Sequence, residues 1–151
     1  MTVLRDGDKQ AMADRNEKPR VLIVDDDDEF SGDLKVLLSS EFDISTAPGS
    51  RQAHEMLVAR PYDCMLLDLH MPQHFGHDPA REGLSFLNHL KSCECGRPAA
   101  PVPVIILTAF TDVFHADVAK KYPVATLYRK PPDINRLSAA IWHLVRESRA
   151  S

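Results

Sequence analysis

Short aliphatic runs alternate with amphipathic helical patterns along most of this 151-residue chain. Runs of branched apolar residues bounded by turn residues are typical of strands that are covered on both faces. Strict alternation of strands and helices predicts an α/β fold, a doubly wound five-stranded parallel sheet with helices on both faces. The predicted strands are Arg20–Val24, Phe42–Ala47, Tyr62–Leu67, Val102–Leu107 and Val124–Tyr128. The predicted helices span Phe30–Leu38, Ser50–Arg60, Leu84–Leu90, Asp112–Lys121 and Ile134–Val145.

The segments outside this alternation are short and polar. Residues 1–19 mix both charges and show little apolar periodicity, which predicts a flexible N-terminal tail. Residues 148–151 form a short polar C-terminal end. The domain predicted between them, residues 20–147, has the usual size of one folding unit.

Composition and charge argue against several classes of protein. The chain carries 18 basic and 22 acidic residues, a net charge of −4, whereas nucleic-acid-binding domains show a basic excess. No apolar run approaches the roughly 20 residues of a membrane span, and the start lacks a signal-peptide pattern, so we expect a cytoplasmic protein without direct membrane contact. Three cysteines, an odd number, do not suggest a disulfide framework.

Four of the predicted strands are followed by polar residues. The first runs into five consecutive acids at Asp25–Glu29, the third ends at Asp68, the fourth at Thr108, and the fifth is followed by Lys130. Taken singly, each has an ordinary interpretation as a helix start, a turn, a cap or a surface lysine. Because the carboxyl ends of parallel strands meet at one edge of the sheet, where ligands bind, we expect these groups to lie together.

These residue types are suited to phosphoryl chemistry. Carboxylates of Asp25, Asp26 and Asp68 would repel one another unless a cation joined them, and their hard oxygens suit Mg²⁺. A carboxylate can also act as a nucleophile and become an aspartyl-phosphate. Phosphoryl transfer mainly needs positioning and charge neutralisation, which the Lys130 ammonium would assist, and the Thr108 hydroxyl could bind a phosphoryl oxygen. The pattern therefore predicts a site that accepts a phosphoryl group.

Four motifs stand at these positions: VLIVDDD at residues 21–27, YDCMLLDLHMP at 62–72, VIILTA at 104–109 and RKPP at 129–132. Together they resemble the response-regulator receiver domain of two-component signalling, over about residues 20–147. The resemblance implies the flavodoxin-like receiver fold, with strand order 2-1-3-4-5. It also implies a phosphoacceptor that assists its own phosphorylation and dephosphorylation, rather than an enzyme.

The resemblance assigns a role to each site residue. Asp68 would be the phosphoacceptor, phosphorylated by a sensor histidine kinase or a phosphotransfer protein. Mg²⁺ would be held by Asp26 directly, by Asp25 through a bound water molecule, and by Asp68 and the backbone carbonyl of His70.

Two further residues complete the implied machinery. Thr108 would be the switch hydroxyl that moves to meet the phosphoryl group. Lys130 would pair with the Asp68 carboxylate or its phosphate, and the Lys130–Pro131 peptide bond would be cis.

The resemblance also bears on partners. The chain ends one helix after Lys130, so we expect a stand-alone receiver that acts on a separate, unidentified protein target. The family's usual surface for partners or homodimers is formed by the helix predicted at Asp112–Lys121, the fifth strand and the final helix. On this chain that surface would include His115, Lys121, Tyr128 and Arg136.

Several positions depart from the family pattern. Leu127 stands where an aromatic residue often reports phosphorylation, and Tyr128 is expected on the opposite face of its strand. The segment Gln73–Glu82 is an apparent insertion beside the active edge, either a solvated loop or a partner contact or partial lid. His70 and Phe110 occupy positions that tune phosphate lifetime, and their bulk predicts a long-lived phosphate.

Alternative interpretations remain open from the sequence. One is a degenerate receiver that serves as a constitutive protein-binding module. A second is a phosphatase that uses Asp68 as its nucleophile, although His70 stands where such enzymes often carry a second acid. The histidines and cysteines do not have the spacing of a structural zinc site, and buried packing is expected for Cys64.

Overall fold

The structure is a computed structural model that describes residues 18–92, 102–109 and 124–150. Its strands are β1 (Arg20–Val24), β2 (Asp43–Ala47), β3 (Cys64–Leu67), β4 (Val104–Thr108) and β5 (Val124–Arg129). The helices of the described part are α1 (Asp28–Leu38), α2 (Ser50–Ala59), α3 (Glu82–Ser92) and α4 (Ile134–Ala150), with a short 3₁₀ turn at Pro79–Arg81. None of these helices is both long and apolar enough to cross a lipid bilayer.

The five strands form one parallel sheet in the order β2-β1-β3-β4-β5, which confirms the predicted topology. Val24, the last residue of β1, pairs with Ala47 at the end of β2 and with Leu67 at the end of β3. On the other side of the sheet, Thr108 at the end of β4 pairs with Arg129 at the end of β5. The register therefore brings the carboxyl ends of the strands to a common edge.

The central strand β1 explains why its sequence is continuously apolar. Residues Val21–Val24 are at most 1% exposed. Leu22 and Val24 belong to one apolar cluster with residues of α2 and α3, whereas Val21 and Ile23 belong to a second cluster with residues of α1 and α4. Since successive side chains of a strand point to opposite faces, helices on both faces require apolar residues at every position.

The run of acids after β1 serves the start of α1 as well as the edge of the sheet. Asp27 is the N-cap of α1, and its carboxylate accepts a hydrogen bond of 3.0 Å from the backbone N–H of Phe30. Asp28 and Glu29 occupy the first turn, where negative charge interacts favourably with the helix dipole. The interpretation of the acidic run as a helix start therefore applies to Asp27, Asp28 and Glu29.

The final helix is fixed by a polar contact that the sequence did not reveal. Glu41 accepts hydrogen bonds from the Ser138 hydroxyl (2.8 Å) and from the Trp142 indole N–H (2.9 Å). The Trp142 ring is tilted against Phe42, with centroids 5.2 Å apart. Trp142 is therefore a packing residue of α4.

Element boundaries differ from the predicted ones by one to three residues at several ends. The strands β2, β3 and β4 begin later than predicted, and β4 and β5 each end one residue later than predicted. The reason is that the apolar pattern of a strand and its hydrogen-bonded pairing do not begin and end at the same residue. The helix α4 differs more, because it continues five residues past its predicted end at Val145, to Ala150. At the other end, the Lys18 ammonium donates to the Ser39 carbonyl at 2.7 Å. The tail before residue 18 and the helix predicted at Asp112–Lys121 lie outside the described residues.

The close approach of α3 to the end of β3 yields a stability prediction. A Cβ at Gly83 would lie 2.6 Å from the carbonyl oxygen of Asp68 and 2.7 Å from Cα of Leu69, both backbone atoms. We expect Gly83→Ala to lower the free energy of unfolding by about 1–3 kcal/mol, measured by urea denaturation.

Gly32→Ala in α1 is the matched control. A Cβ at Gly32 has nothing within 4 Å, so this helix-interior replacement should stabilise the protein by about 0.5–1 kcal/mol. Equal effects of the two variants would contradict the packing argument.

Candidate functional site

The backbone of the sheet sets the positions of two acids. The ladder of hydrogen bonds continues one residue past the strands, because the Asp25 N–H donates to the Ala47 carbonyl at 3.1 Å and the Asp68 N–H donates to the Val24 carbonyl at 3.0 Å. Asp25 and Asp68 therefore follow adjacent strands at the same level. Their separation is fixed by the spacing of the sheet.

Three carboxylates converge at this edge. Asp25 and Asp68 are only 3% and 6% exposed, whereas Asp26 is exposed. One carboxylate oxygen from each lies within 4.8 Å of the others. Hard oxygen donors in such a group match the ligand preference of Mg²⁺, with room for water molecules on the exposed side.

Lys130 lies between the two buried acids. Its Nζ is 2.5 Å from Oδ2 of Asp25 and 3.3 Å from Oδ2 of Asp68. The sequence predicted the pairing with Asp68, and the shorter contact with Asp25 was not foreseen. The Lys130–Pro131 peptide bond is cis, as the family resemblance implied.

The electrostatics of this group follow from burial and from the opposing charges. Burial raises the pKa of the Asp25 carboxyl, and the charge of Asp68 adds to this effect against the lowering by the hydrogen bond from Lys130. Burial by itself would lower the pKa of Lys130, but the hydrogen bond to Asp25 and the charges of both acids outweigh it and raise that pKa. The two acids thus favour the charged form of the Lys130 ammonium.

An aromatic ring covers the lysine. The Nζ of Lys130 lies 4.5 Å from the ring centroid of Phe30, within the range of a cation–π contact. Phe30 comes from the first turn of α1 and was not predicted as part of the site. The sequence did not single out Phe30, because an isolated apolar residue at a helix start has an ordinary packing interpretation.

The remaining predicted site residues lie at the same edge. The His70 N–H donates to Oδ1 of Asp68 over a long 3.4 Å. Thr108 is the last residue of β4, beside β3 in the sheet. The roles of the His70 carbonyl and the Thr108 hydroxyl stay predictions.

The segment Gln73–Glu82 is anchored by a buried carboxylate. Glu82 is fully buried and accepts hydrogen bonds from the backbone N–H groups of His74 (3.0 Å), Phe75 (2.9 Å) and Gly76 (3.0 Å). It also accepts a 2.5 Å hydrogen bond from the hydroxyl of Ser50, at the start of α2. This part of the chain is therefore a loop held by internal hydrogen bonds at residues 74–76, while Gln73, His74 and His77 are exposed to solvent.

The hydrogen bonds set the charge state of Glu82. Burial by itself would raise the pKa of this carboxyl, but the Ser50 hydroxyl and the backbone N–H groups of the loop lower it below its ordinary value. The sequence did not single out Glu82, because an acid before a glycine is common in turns. The partners that distinguish it lie 6 to 32 residues away.

Other predicted features have plain outcomes. Cys64 is fully buried in the apolar cluster, and burial raises the pKa of its thiol to about 12, as expected for a packing residue.

Leu127 and Tyr128 pack against different apolar clusters, so they lie on opposite faces of β5 as predicted. The side chains predicted to tune phosphate lifetime or to form a partner surface at Phe110, His115 and Lys121 lie outside the described residues, as do Cys93 and Cys95.

Comparison with known families gives a match along most of the chain. The family model described as the response regulator receiver domain matches residues 21–142. This interval contains the strands of the described sheet except for Arg20, the first residue of β1, together with the acids, the threonine and the lysine at the edge of the sheet.

Curated relatives are 26–30% identical to this chain over the aligned residues. The transcriptional regulatory protein ZraR of Escherichia coli O157:H7 is 30% identical over 122 residues, which cover 80% of this chain and 25% of that protein. The response regulator ArlR of Staphylococcus saprophyticus is 27% identical over 128 residues, covering 84% of this chain and 52% of that protein. The chain thus spans between a quarter and about half of the length of these relatives.

Solved structures agree in fold. A CheY-like response regulator receiver domain from Methanospirillum hungatei JF-1 superposes with a TM-score of 0.72 at 18% identity, covering 89% of this chain and 98% of that one. A CheY-like receiver domain from Methylobacillus flagellatus gives a TM-score of 0.70 at 19% identity, covering 85% and 99%. At these identities the likeness establishes the fold alone.

The raised pKa of Asp25 predicts how a neutral replacement changes stability. Because the fold disfavours the ionised carboxylate, its charge lowers stability above that pKa and not below it. We expect Asp25→Asn to raise the free energy of unfolding in Mg²⁺-free buffer at pH 7, because it removes a buried charge that repels Asp68 while Lys130 keeps its contact with Asp68. This gain should disappear as the pH falls through the raised pKa toward the ordinary aspartate value of about 3.9. Urea denaturation across this pH range checks the prediction, with Asp33→Asn on α1 as the exposed control. A loss of stability at neutral pH would contradict it.

The lowered pKa of Glu82 predicts the opposite pH dependence. Its stabilising contribution is present above the ordinary glutamate pKa and is lost as the pH falls through the lowered value. Glu82→Gln keeps the size of the side chain but places an amide N–H₂ among N–H donors, so we expect a loss of about 2–3 kcal/mol at pH 7. Amide hydrogen exchange should accelerate at residues 74–76. The exposed variant Glu55→Gln should change stability by less than about 0.5 kcal/mol, and a similar cost for both variants would refute the anchoring role.

Proposed function

Because this chain belongs to the response regulator receiver domain family, we propose that it accepts a phosphoryl group on Asp68 and signals through the conformational change that follows. The observation that carries the proposal is the buried Asp68 carboxylate, 3.3 Å from the Lys130 ammonium and grouped with the carboxylates of Asp25 and Asp26. The proposed donor is a phosphohistidine on a sensor histidine kinase or a phosphotransfer protein.

The charges of the site support a divalent cation as part of this function. Three carboxylates and one ammonium leave two negative charges when all are ionised, which one Mg²⁺ balances. We assign Asp25, Asp26, Asp68 and the backbone carbonyl of His70 as the protein ligands. Bound there, Mg²⁺ supplies neutralisation of the phosphoryl oxygens and of the acids that surround them.

The transfer step uses the buried carboxylate as the nucleophile. One Asp68 oxygen forms a bond to phosphorus while the bond from phosphorus to the donor imidazole nitrogen breaks, and the electron pair stays on that nitrogen. Lys130 carries its positive charge beside the attacking group and binds a phosphoryl oxygen in the product. The dephosphorylation step is attack of water on phosphorus, which returns the free carboxylate and inorganic phosphate.

The signal is proposed to be a population shift between two arrangements of the protein. Thr108 ends β4 beside the phosphoacceptor strand, and its hydroxyl would hydrogen-bond the phosphoryl group in the active arrangement. Leu127, half-buried on β5, replaces the aromatic residue through which many relatives transmit this change. A downstream protein would then recognise the surface that includes β5 and α4, which is also the proposed surface for a homodimer.

The central assignment is tested by mass spectrometry of the intact protein after incubation with acetyl phosphate and Mg²⁺. We expect the addition of one phosphoryl group, its absence in Asp68→Asn, and its retention in the exposed-acid control Asp33→Asn. Chelation of Mg²⁺ should prevent the addition. Lys130→Met should slow it by roughly 100-fold, the usual effect of losing one positioned electrostatic donor. The decay of the same sample measures the phosphate lifetime, for which His70 and Phe110 predict a slow loss.

Three other outcomes would contradict the proposal. Phosphoryl addition that persists in Asp68→Asn would place the acceptor elsewhere. Binding of a protein target with no phosphoryl addition under any condition would identify a constitutive binding module. Multiple turnovers of a small phosphoester would identify a phosphatase.

A further inference from the structure

A second group of side chains with metal-binding chemistry lies between α2 and α3. His54 of α2 and His89 of α3 face each other through their ring nitrogens, with Nε2 atoms 3.3 Å apart. Both residues are half-buried, so an ion from solvent can reach them. The proposed phosphoryl chemistry uses neither residue.

The geometry of the two rings fits joint coordination of one ion. Two imidazole nitrogens bound to a tetrahedral Zn²⁺ at 2.0–2.1 Å stand roughly 3.3–3.4 Å apart, which matches the separation of these two nitrogens. The ring centroids are 4.9 Å apart and the planes are inclined by 68°. The two nitrogens are also hydrogen-bonded to each other, so a bound ion would take the place of that hydrogen bond.

Neighbouring rings hold this arrangement in place. Phe75 stacks on His89 with centroids 4.3 Å apart, and its edge contacts His54 at 5.7 Å. Phe86 in turn stacks on Phe75, with ring centroids 5.6 Å apart. The backbone of Phe75 is in turn bound to Glu82. The two imidazoles are thus positioned by packing before any ion arrives, which reduces the entropy lost on binding.

We propose that His54 and His89 form a binding site for a divalent transition-metal ion of the Zn²⁺ class, with water in the remaining positions. Imidazole ligands suit Zn²⁺, Cu²⁺ and Ni²⁺, whereas Mg²⁺ prefers oxygen. The pair therefore selects a different ion from the acidic group of Asp25, Asp26 and Asp68. A bound ion would join α2 to α3 next to the loop that Glu82 anchors.

The test is calorimetric titration of the whole chain with Zn²⁺ in an excess of Mg²⁺, which competes for the acidic group. We expect His54→Ala and His89→Ala each to weaken one Zn²⁺-binding event by roughly tenfold or more. The control His143→Ala removes an exposed histidine of α4 and should leave that event unchanged. Zn²⁺ should also raise the melting temperature of the unsubstituted protein and of this control, but not of the two variants.

A measurement on the unsubstituted protein guards against variants that fail to fold. In NMR spectra of the imidazole groups, Zn²⁺ should shift the ring resonances of His54 and His89 together and at the same ion concentration. Binding of equal affinity in all variants, shifts confined to other histidines, or no binding event besides that of the acidic group would each overturn the proposal.

Discussion

The placement of one ammonium between two buried carboxylates is the constraint on which the functional edge depends. Asp25 and Asp68 follow adjacent parallel strands, so the sheet forces their like charges together. Lys130 lies within hydrogen-bond distance of both and offsets part of that repulsion. Because the ammonium balances only part of the negative charge, the edge keeps an attraction for a cation. The protein can therefore fold with these acids buried, and the edge of the sheet can still bind a cation.

The sheet is the scaffold that makes this placement reproducible. Its register aligns the last residues of β1, β2 and β3, and helices on both faces bury the strands almost completely. A shift of one strand by one residue would exchange its apolar side chains between the two clusters that they fill, so close packing holds the register. Gly83 lets α3 approach the backbone of Asp68, where a Cβ would collide. The backbone at the end of β3 therefore both contacts α3 and carries the Asp68 carboxylate.

A third buried carboxylate, Glu82, lies nearby in a different environment. Glu82 is surrounded by N–H and O–H donors and needs no counter-ion, whereas Asp25 needs Lys130. The loop that Glu82 holds also carries Phe75, which supports the His54–His89 pair. Two carboxylates of similar chemistry therefore take opposite pKa shifts, because hydrogen-bond donors surround one while desolvation and a like charge act on the other.

The alternation of apolar runs and helical patterns determined the fold class, and the residues after each strand indicated which groups reach the functional edge. Those features are local, since strand periodicity and the residue that follows a strand can be read within a few positions. The tertiary structure alone decided the contact of Lys130 with Asp25, the Phe30 ring over that lysine, the anchoring by Glu82 and the meeting of His54 with His89. These contacts depend on the rotation of each helix about its axis and on the path of the loops. Side chains far apart in the chain meet only when packing fixes both, which no local pattern records.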